Sequence, residues 1–209
     1  MKSYIRKGFF VCGALCFLSA GILVGYNEIT AWTAGNEVKA ASHEVLQVVE
    51  TAQAEEQRIE DSVDVEVTPN YQLAPCNPMP EKEIEGDSYI GVLSIPDLSL
   101  ELPVMSQWNY ANLKKAPCRY RGSVYLNNMV IAAHNYRSHF GKLHKLEPGN
   151  RVLFTDMDGN EFVYEVDRIE TLGKYQIEEM EAGDWDLTLF TCTVGGENRV
   201  TIRCRLCIE

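Results

Sequence analysis

The chain has 209 residues, 45% of them apolar, which is enough for one packed domain and too apolar for wholesale disorder. Nineteen Lys and Arg stand against 30 Asp and Glu; the net charge of −11 excludes a nucleic-acid binder that works through a basic face. The charge is uneven, with +3 over residues 1–26, −11 over 27–87 and −3 over 88–209.

Lys2, Arg6 and Lys7 precede a 19-residue run from Gly8 to Tyr26 without a charge. At about 1.5 Å per residue such a helix nearly spans a hydrocarbon core of about 30 Å. The apolar part of a cleavable signal peptide is shorter, and Ala31-Trp-Thr-Ala34 is a poor cleavage site. The run therefore reads as an uncleaved signal anchor, with a removed signal peptide as the alternative. Basic residues before it, and Glu28 and Glu37 after it, predict a cytoplasmic N-terminus and an extracellular bulk.

Residues 27–87 read as an acidic stalk. Val38, Val45, Ala52 and Ile59 recur at seven-residue spacing with Ala41 and Val48 between them, which predicts one amphipathic helix. Pro69, Pro75, Pro78 and Pro80 break regular structure up to about Asp87. Cys76, Cys118, Cys192, Cys204 and Cys207 are five cysteines in an exported part, an odd number that suggests a free thiol. Cys204-Arg-Leu-Cys207 has no second pair at metal spacing, and in a strand its two thiols face opposite sides, so zinc is not expected.

From Tyr89 onward short β-type runs alternate with turns, which predicts an all-β barrel or sandwich. Strands are expected at Tyr89–Ile95, Leu98–Val104, Ser123–Leu126, Met129–His134, Arg151–Thr155, Glu161–Thr171, Asp186–Cys192 and Arg199–Cys207. Short helical pieces fit near Asn109–Lys114 and His139–Leu146. Asp156-Met-Asp-Gly-Asn160 lacks the spacing of a calcium loop and reads as a hairpin turn.

Three chemically versatile side chains lie at strand ends, where a rigid scaffold presents functional groups: His134, Cys192 and Arg199. If the last two strands form a hairpin turning at Gly195-Gly196, Cys192 and Arg199 oppose each other on one face. A guanidinium beside a thiol lowers its pKa and can hold an oxyanion. Taken singly, each of the three also has an ordinary structural reading.

The surrounding wording resembles the sortases, transpeptidases of Gram-positive cell surfaces. Tyr89-Ile-Gly-Val-Leu-Ser-Ile-Pro is similar to their opening strands. Val130-Ile-Ala-Ala-His134-Asn with Phe140-Gly-Lys-Leu143 is similar to their histidine strand. Leu187-Thr-Leu-Phe-Thr-Cys192 resembles their cysteine box, and Arg199-Val-Thr-Ile their arginine strand, in the same order. The resemblance covers about residues 88–207 and implies an eight-stranded β-barrel with short helices, preceded by a membrane helix (1–26) and a helical or irregular stalk (27–87), with 88–209 as the catalytic domain. It further implies that Cys192, His134 and Arg199 are catalytic, with Thr191 supporting them. Such an enzyme cleaves an L-P-x-T-G-like sorting signal through a thioacyl intermediate and passes the acyl end to an amine of the cell wall or of a pilin. No metal or organic cofactor is expected.

The short Cys192–Arg199 connection, the absence of an Asp-Pro-aromatic motif before Tyr89 and the modest Asp167–Asp186 segment leave the subclass open. Glu178, Glu179 and Glu181 read as a solvated acidic loop ahead of a calcium site. Two other readings stand beside the sortase one. An L,D-transpeptidase-like enzyme also uses Cys and His, but its S-x-G-C box is missing. A membrane-tethered envelope binding module would carry an inert thiol.

Overall fold

The structure, a computed structural model, describes residues 2–62 and 70–207, with side chains over 9–58 and 71–207. Pro69 and the side chain of Ile59 therefore lie outside the described residues. In chain order the elements are α1 (Lys2–Ser62), α2 (Asn70–Leu73), β1 (Lys82–Ile84), β2 (Asp87–Ile95), β3 (Leu100–Met105), α3 (Tyr110–Lys115), β4 (Cys118–Arg121), β5 (Met129–Ala132), β6 (Arg151–Asp156), β7 (Glu161–Gly173), α4 (Ile177–Met180), β8 (Leu187–Cys192) and β9 (Asn198–Leu206). Short 3-10 turns occur at Pro96–Leu98, Val124–Leu126 and Leu143–Lys145.

Strands run in the order β1-β2-β3-β4-β5-β8-β9-β7-β6, and β6 pairs back onto β2. That last pairing closes eight strands into a barrel and leaves β1 as a short addition to the edge of β2. Closure removes the free edges that would otherwise invite aggregation. Most neighbours are antiparallel, but β5 and β8 run parallel from Met129↔Leu187 to Ala132↔Phe190. Ile90, Leu93, Ile95, Val104, Ile131, Phe154, Tyr164, Leu187, Leu189 and Ile202 fill the interior with little or no exposure.

One expected strand is absent. Ser123–Leu126 forms a 3-10 turn rather than extended chain, because local polar groups capture its backbone. Ser123 Oγ accepts from Tyr125 N–H at 3.1 Å, Asn128 Oδ1 accepts from Ser123 N–H at 3.0 Å, and Asn127 adopts left-handed geometry (φ 51°). The strand lies just before it, at Cys118–Arg121. Gly122, at φ +76°, makes the corner; a Cβ there would stand 2.1 Å from the Asn128 carbonyl. Asp156–Asn160 is the expected turn between β6 and β7. The Asp156 carboxylate accepts from the Asp158 and Asn160 N–H groups, from Asn160 Nδ2, and from the Tyr125 hydroxyl at 2.6 Å.

The 61-residue helix α1 has two different halves. Phe9, Phe10, Phe17, Leu18, Ile22, Leu23, Tyr26 and Ile29 are all well exposed, so this stretch is one helix long and apolar enough to cross a membrane. Farther along, Ala34, Val38, Val45 and Val49 are buried, and the three valines join the barrel's own apolar cluster. Their spacing of four, seven and four residues keeps them on one helical face. Each buried valine contributes roughly 1.5 kcal/mol of transfer free energy. The seven-residue pattern of the sequence thus has the barrel as its partner. Ser42 Oγ donates to the Glu101 carbonyl and Gln53 Nε2 to the Gly159 carbonyl, both at 3.4 Å.

Candidate active site

Alternation along β8 and β9 determines what faces the site. Leu187 and Leu189 point into the barrel, so Thr188, Phe190 and Cys192 point outward. Across the strand pair Cys192 opposes Arg199, Phe190 opposes Thr201 and Thr188 opposes Arg203. The hairpin expected from the sequence is present: Thr193 N–H donates to the Asn198 carbonyl at 2.9 Å, and Gly195 and Gly196 take left-handed φ values of 89° and 78°. Cross-strand opposition places the Cβ atoms of Cys192 and Arg199 about 5 Å apart. Arg199 Nη1 donates to the carbonyls of Gly196 (2.9 Å) and Asn198 (3.0 Å), so the turn itself holds the guanidinium.

His134 arrives on the neighbouring strand. Because β5 runs parallel to β8 with Ala132 level with Phe190, His134 and Cys192 extend the two strands to the same height. Thr191 joins them: its buried Oγ1 donates to the Ala133 carbonyl at 2.8 Å, tying the cysteine strand to the residue before the histidine. His134 is half-buried. Burial, and secondarily the charge of Lys114, lower its pKa from the ordinary 6.5. The chain then folds back on itself, with Phe140 N–H donating to the His134 carbonyl (3.1 Å) and Gly141 N–H to the Tyr136 carbonyl (2.8 Å). A Cβ at Gly141 would stand 2.7 Å from that carbonyl, so only glycine closes this loop.

The other cysteines occupy different environments. Cys118 and Cys204 are fully buried; burial pushes the Cys118 thiol up to about 12 and the Cys204 thiol upward as well. Cys76 and Cys207 are exposed, all of these thiols are free, and Cys192 alone of the five is half-buried. Cys204 is buried in β9, whereas Cys207 lies one residue beyond the end of that strand and is exposed, so the two thiols do not share a site.

The wall beyond Thr201 and Arg203 is the segment around α4, a feature the sequence did not disclose. Arg203 is 1% exposed, yet its guanidinium donates to the Glu170 carboxylate (2.8 Å), Thr188 Oγ1 (3.0 Å), the Met180 carbonyl (3.0 Å) and the Glu179 carbonyl. Glu181 pairs with Arg121. The acidic segment is thus pinned by two arginines, and only part of it is solvated. Among the described residues no three or more His, Cys, Asp or Glu side chains gather into a metal-binding group.

A family model described as "Sortase domain" matches residues 93–207, more than half of the chain. The chain belongs to the sortase family. It is therefore a cysteine transpeptidase on an eight-stranded barrel. It is 25% identical over 195 residues to Sortase A of Bacillus anthracis, covering 90% of this chain and 88% of that one. Sortase C1 of Streptococcus agalactiae has a similar fold, with a TM-score of 0.56, 19% identity and coverage of 81% and 96%. So does a Clostridium perfringens Sortase D5, with a TM-score of 0.53, 17% identity and coverage of 78% and 99%. The likeness spans proteins named for three sortase classes, so the fold does not single out a subclass.

Proposed function

We propose that Cys192 is the nucleophile of this transpeptidase, His134 its proton carrier and Arg199 its oxyanion and substrate anchor, with Thr191 as support. The observation that carries this reading is the strand pairing: one half-buried thiol lies opposite one arginine and level with one histidine. The substrate is an L-P-x-T-G-like sorting signal of a surface protein. Cys192 Sγ attacks the scissile carbonyl, the C–S bond forms, and the tetrahedral oxyanion is met by the Arg199 guanidinium. As the C–N bond breaks, the His134 imidazolium gives its proton to the leaving amine. An incoming amine of the cell wall or of a pilin then attacks the thioester. Its proton passes to His134, the C–S bond breaks and the thiolate returns. Removing Arg199's planar fork costs a few kcal/mol of transition-state stabilisation, and Lys does not restore the donor directions.

Residues 1–26 form the anchor in this reading, with a cytoplasmic basic tip, and 27–209 lie outside the cell with the catalytic domain over 88–209. The exposed apolar half of α1 and the placement of Lys2, Arg6 and Lys7 support it. Protease shaving of intact cells should remove the domain; full protection would overturn the orientation. For the chemistry, purified enzyme is incubated with a sorting-signal peptide and an amine. Cys192→Ala is expected to lose cleavage and transfer alike while Cys118→Ala retains both. Wild-type turnover by Cys192→Ala would end the assignment.

A further inference from the structure

The loop between His134 and Phe140 carries three rings in a row. The Tyr136 ring centroid lies 4.8 Å from that of His134, tilted by 35°, and 5.4 Å from that of His139, nearly edge-on at 64°. Such contacts prefer defined geometries, so they orient as well as stabilise. His139 is completely buried, and neither of its ring nitrogens closes a well-formed hydrogen bond, although the Ala34 backbone of α1 lies near enough to act on it; the buried Ser138 Oγ has no partner either. Orphaned polar atoms of this kind cost free energy and call for an explanation.

What buries them is α1. The helix crosses this loop with its glycine and alanine: a Cβ added at Gly35 would stand 3.3 Å from both Cβ and Oγ of Ser138, and buried Ala34 faces His139. An imidazole at a strand end is otherwise free to turn about two side-chain bonds. Here one flank is covered by the Tyr136 ring, and the loop bearing that ring is closed from behind by α1.

We infer that Tyr136 is a positioning residue for His134, and that α1 keeps it in place by backing the loop at Ser138 and His139. The inference rests on the acid–base role given to His134 above. Burial and Lys114 from α3 lower the histidine's proton affinity, and the other titratable groups around it are Tyr136 and His139 from its own loop and Cys192 and Arg199 at the ends of β8 and β9. Part of what lowers its proton affinity is burial, so losing the Tyr136 ring hydrates one face and moves that affinity up toward the ordinary value.

The test uses the full-length chain in detergent micelles, with peptide and amine kinetics across pH and an NMR titration of the His134 imidazole. Tyr136→Leu should lower kcat about tenfold while KM stays within about twofold, as expected for misorientation and not for lost binding. Its His134 titration should move to higher pH. Tyr136→Phe should remain near wild type, because the ring and not the hydroxyl orients the imidazole. Gly35→Val, outside the site, should lower kcat and raise the titration in the same sense by pressing on Ser138. A folded Tyr136→Leu with normal kcat and an unmoved titration overturns the positioning role. A large loss in Tyr136→Phe overturns the ring argument even if the leucine variant does not fold. Gly35→Val without effect overturns the part played by α1. His134→Ala serves as the reference: full activity there would sink the reading of His134 itself, whereas an inactive His134→Ala beside a normal Tyr136→Leu sinks only this inference.

Discussion

His139 binds a proton near pH 6.5 as an ordinary side chain and near pH 4 in the folded protein, because burial disfavours the cation and neighbouring His134 adds to that, while the Ala34 backbone works the other way. Between these values the unfolded chain holds more protons than the folded one, so stability rises with pH. It is fully present above about pH 6.5 and is lost as pH falls toward 4, by roughly 3 kcal/mol at the lower end. His134, whose affinity is also lowered, acts in the same direction. Phenylalanine fills a similar space and cannot titrate, so His139→Phe should flatten much of the stability change between pH 7 and pH 4.5. Thermal unfolding of both proteins at the two pH values measures this. An unchanged difference in Tm would mean that the imidazole does not stay neutral. The sequence named His134 because an apolar strand runs into it, but His139, which opens the expected helical piece His139–Leu146, sits instead in a turn before the Leu143–Lys145 3-10 turn and carries no such signal.

Elements differ in how far local rules decide them. The Cys192–Arg199 hairpin was legible because two apolar strands flank a Gly-Gly turn and antiparallel pairing then fixes which residues oppose. Ser123–Leu126 carries strand-like residues, yet Ser123, Asn127 and Asn128 offer the backbone closer hydrogen-bond partners than a neighbouring strand does. Neighbouring β4 hides for the opposite reason: it is four residues long, with Arg119 and Arg121 flanking Tyr120. The docking of α1 on the β6–β7 turn allows a controlled test. Gly159 and Gly149 have nearly the same φ, +96° and +93°. A Cβ at Gly159 would meet the Gln53 nitrogen at 2.9 Å, whereas one at Gly149 would meet nothing within 4 Å. Both alanine variants bear the strain of a positive φ, of order 1–3 kcal/mol. Gly159→Ala should therefore destabilise more than Gly149→Ala and should alone speed proteolysis within residues 34–58 of α1. Equal behaviour of the two would show that the helix yields without cost.

At the scale of the whole molecule the sequence disclosed an apolar N-terminal helix, an acidic middle and a β-rich remainder, and each is a composition signal. What composition does not carry is partnership. Val38 and Val45 repeat at the seven-residue spacing, Ala41 and Val48 pack half-buried between them and Val49 is buried beside them, and only the closed barrel shows that it is their counterpart. Closure is equally non-local: β2 and β6, about 60 residues apart, complete the barrel through pairs such as Leu93↔Phe154. One consequence is that the helix leaving the membrane-type segment continues without interruption to the loop beside His134. The central claim is that this barrel performs acyl transfer through Cys192. Intact-mass analysis with peptide mapping tests it most directly, on enzyme mixed with a sorting-signal peptide in the absence of an amine and quenched in acid. The expected result is a mass gain equal to the N-terminal fragment of the peptide, on Cys192, released by hydroxylamine and absent from Cys192→Ala. Cleavage without any adduct, or an adduct on another cysteine, would contradict it.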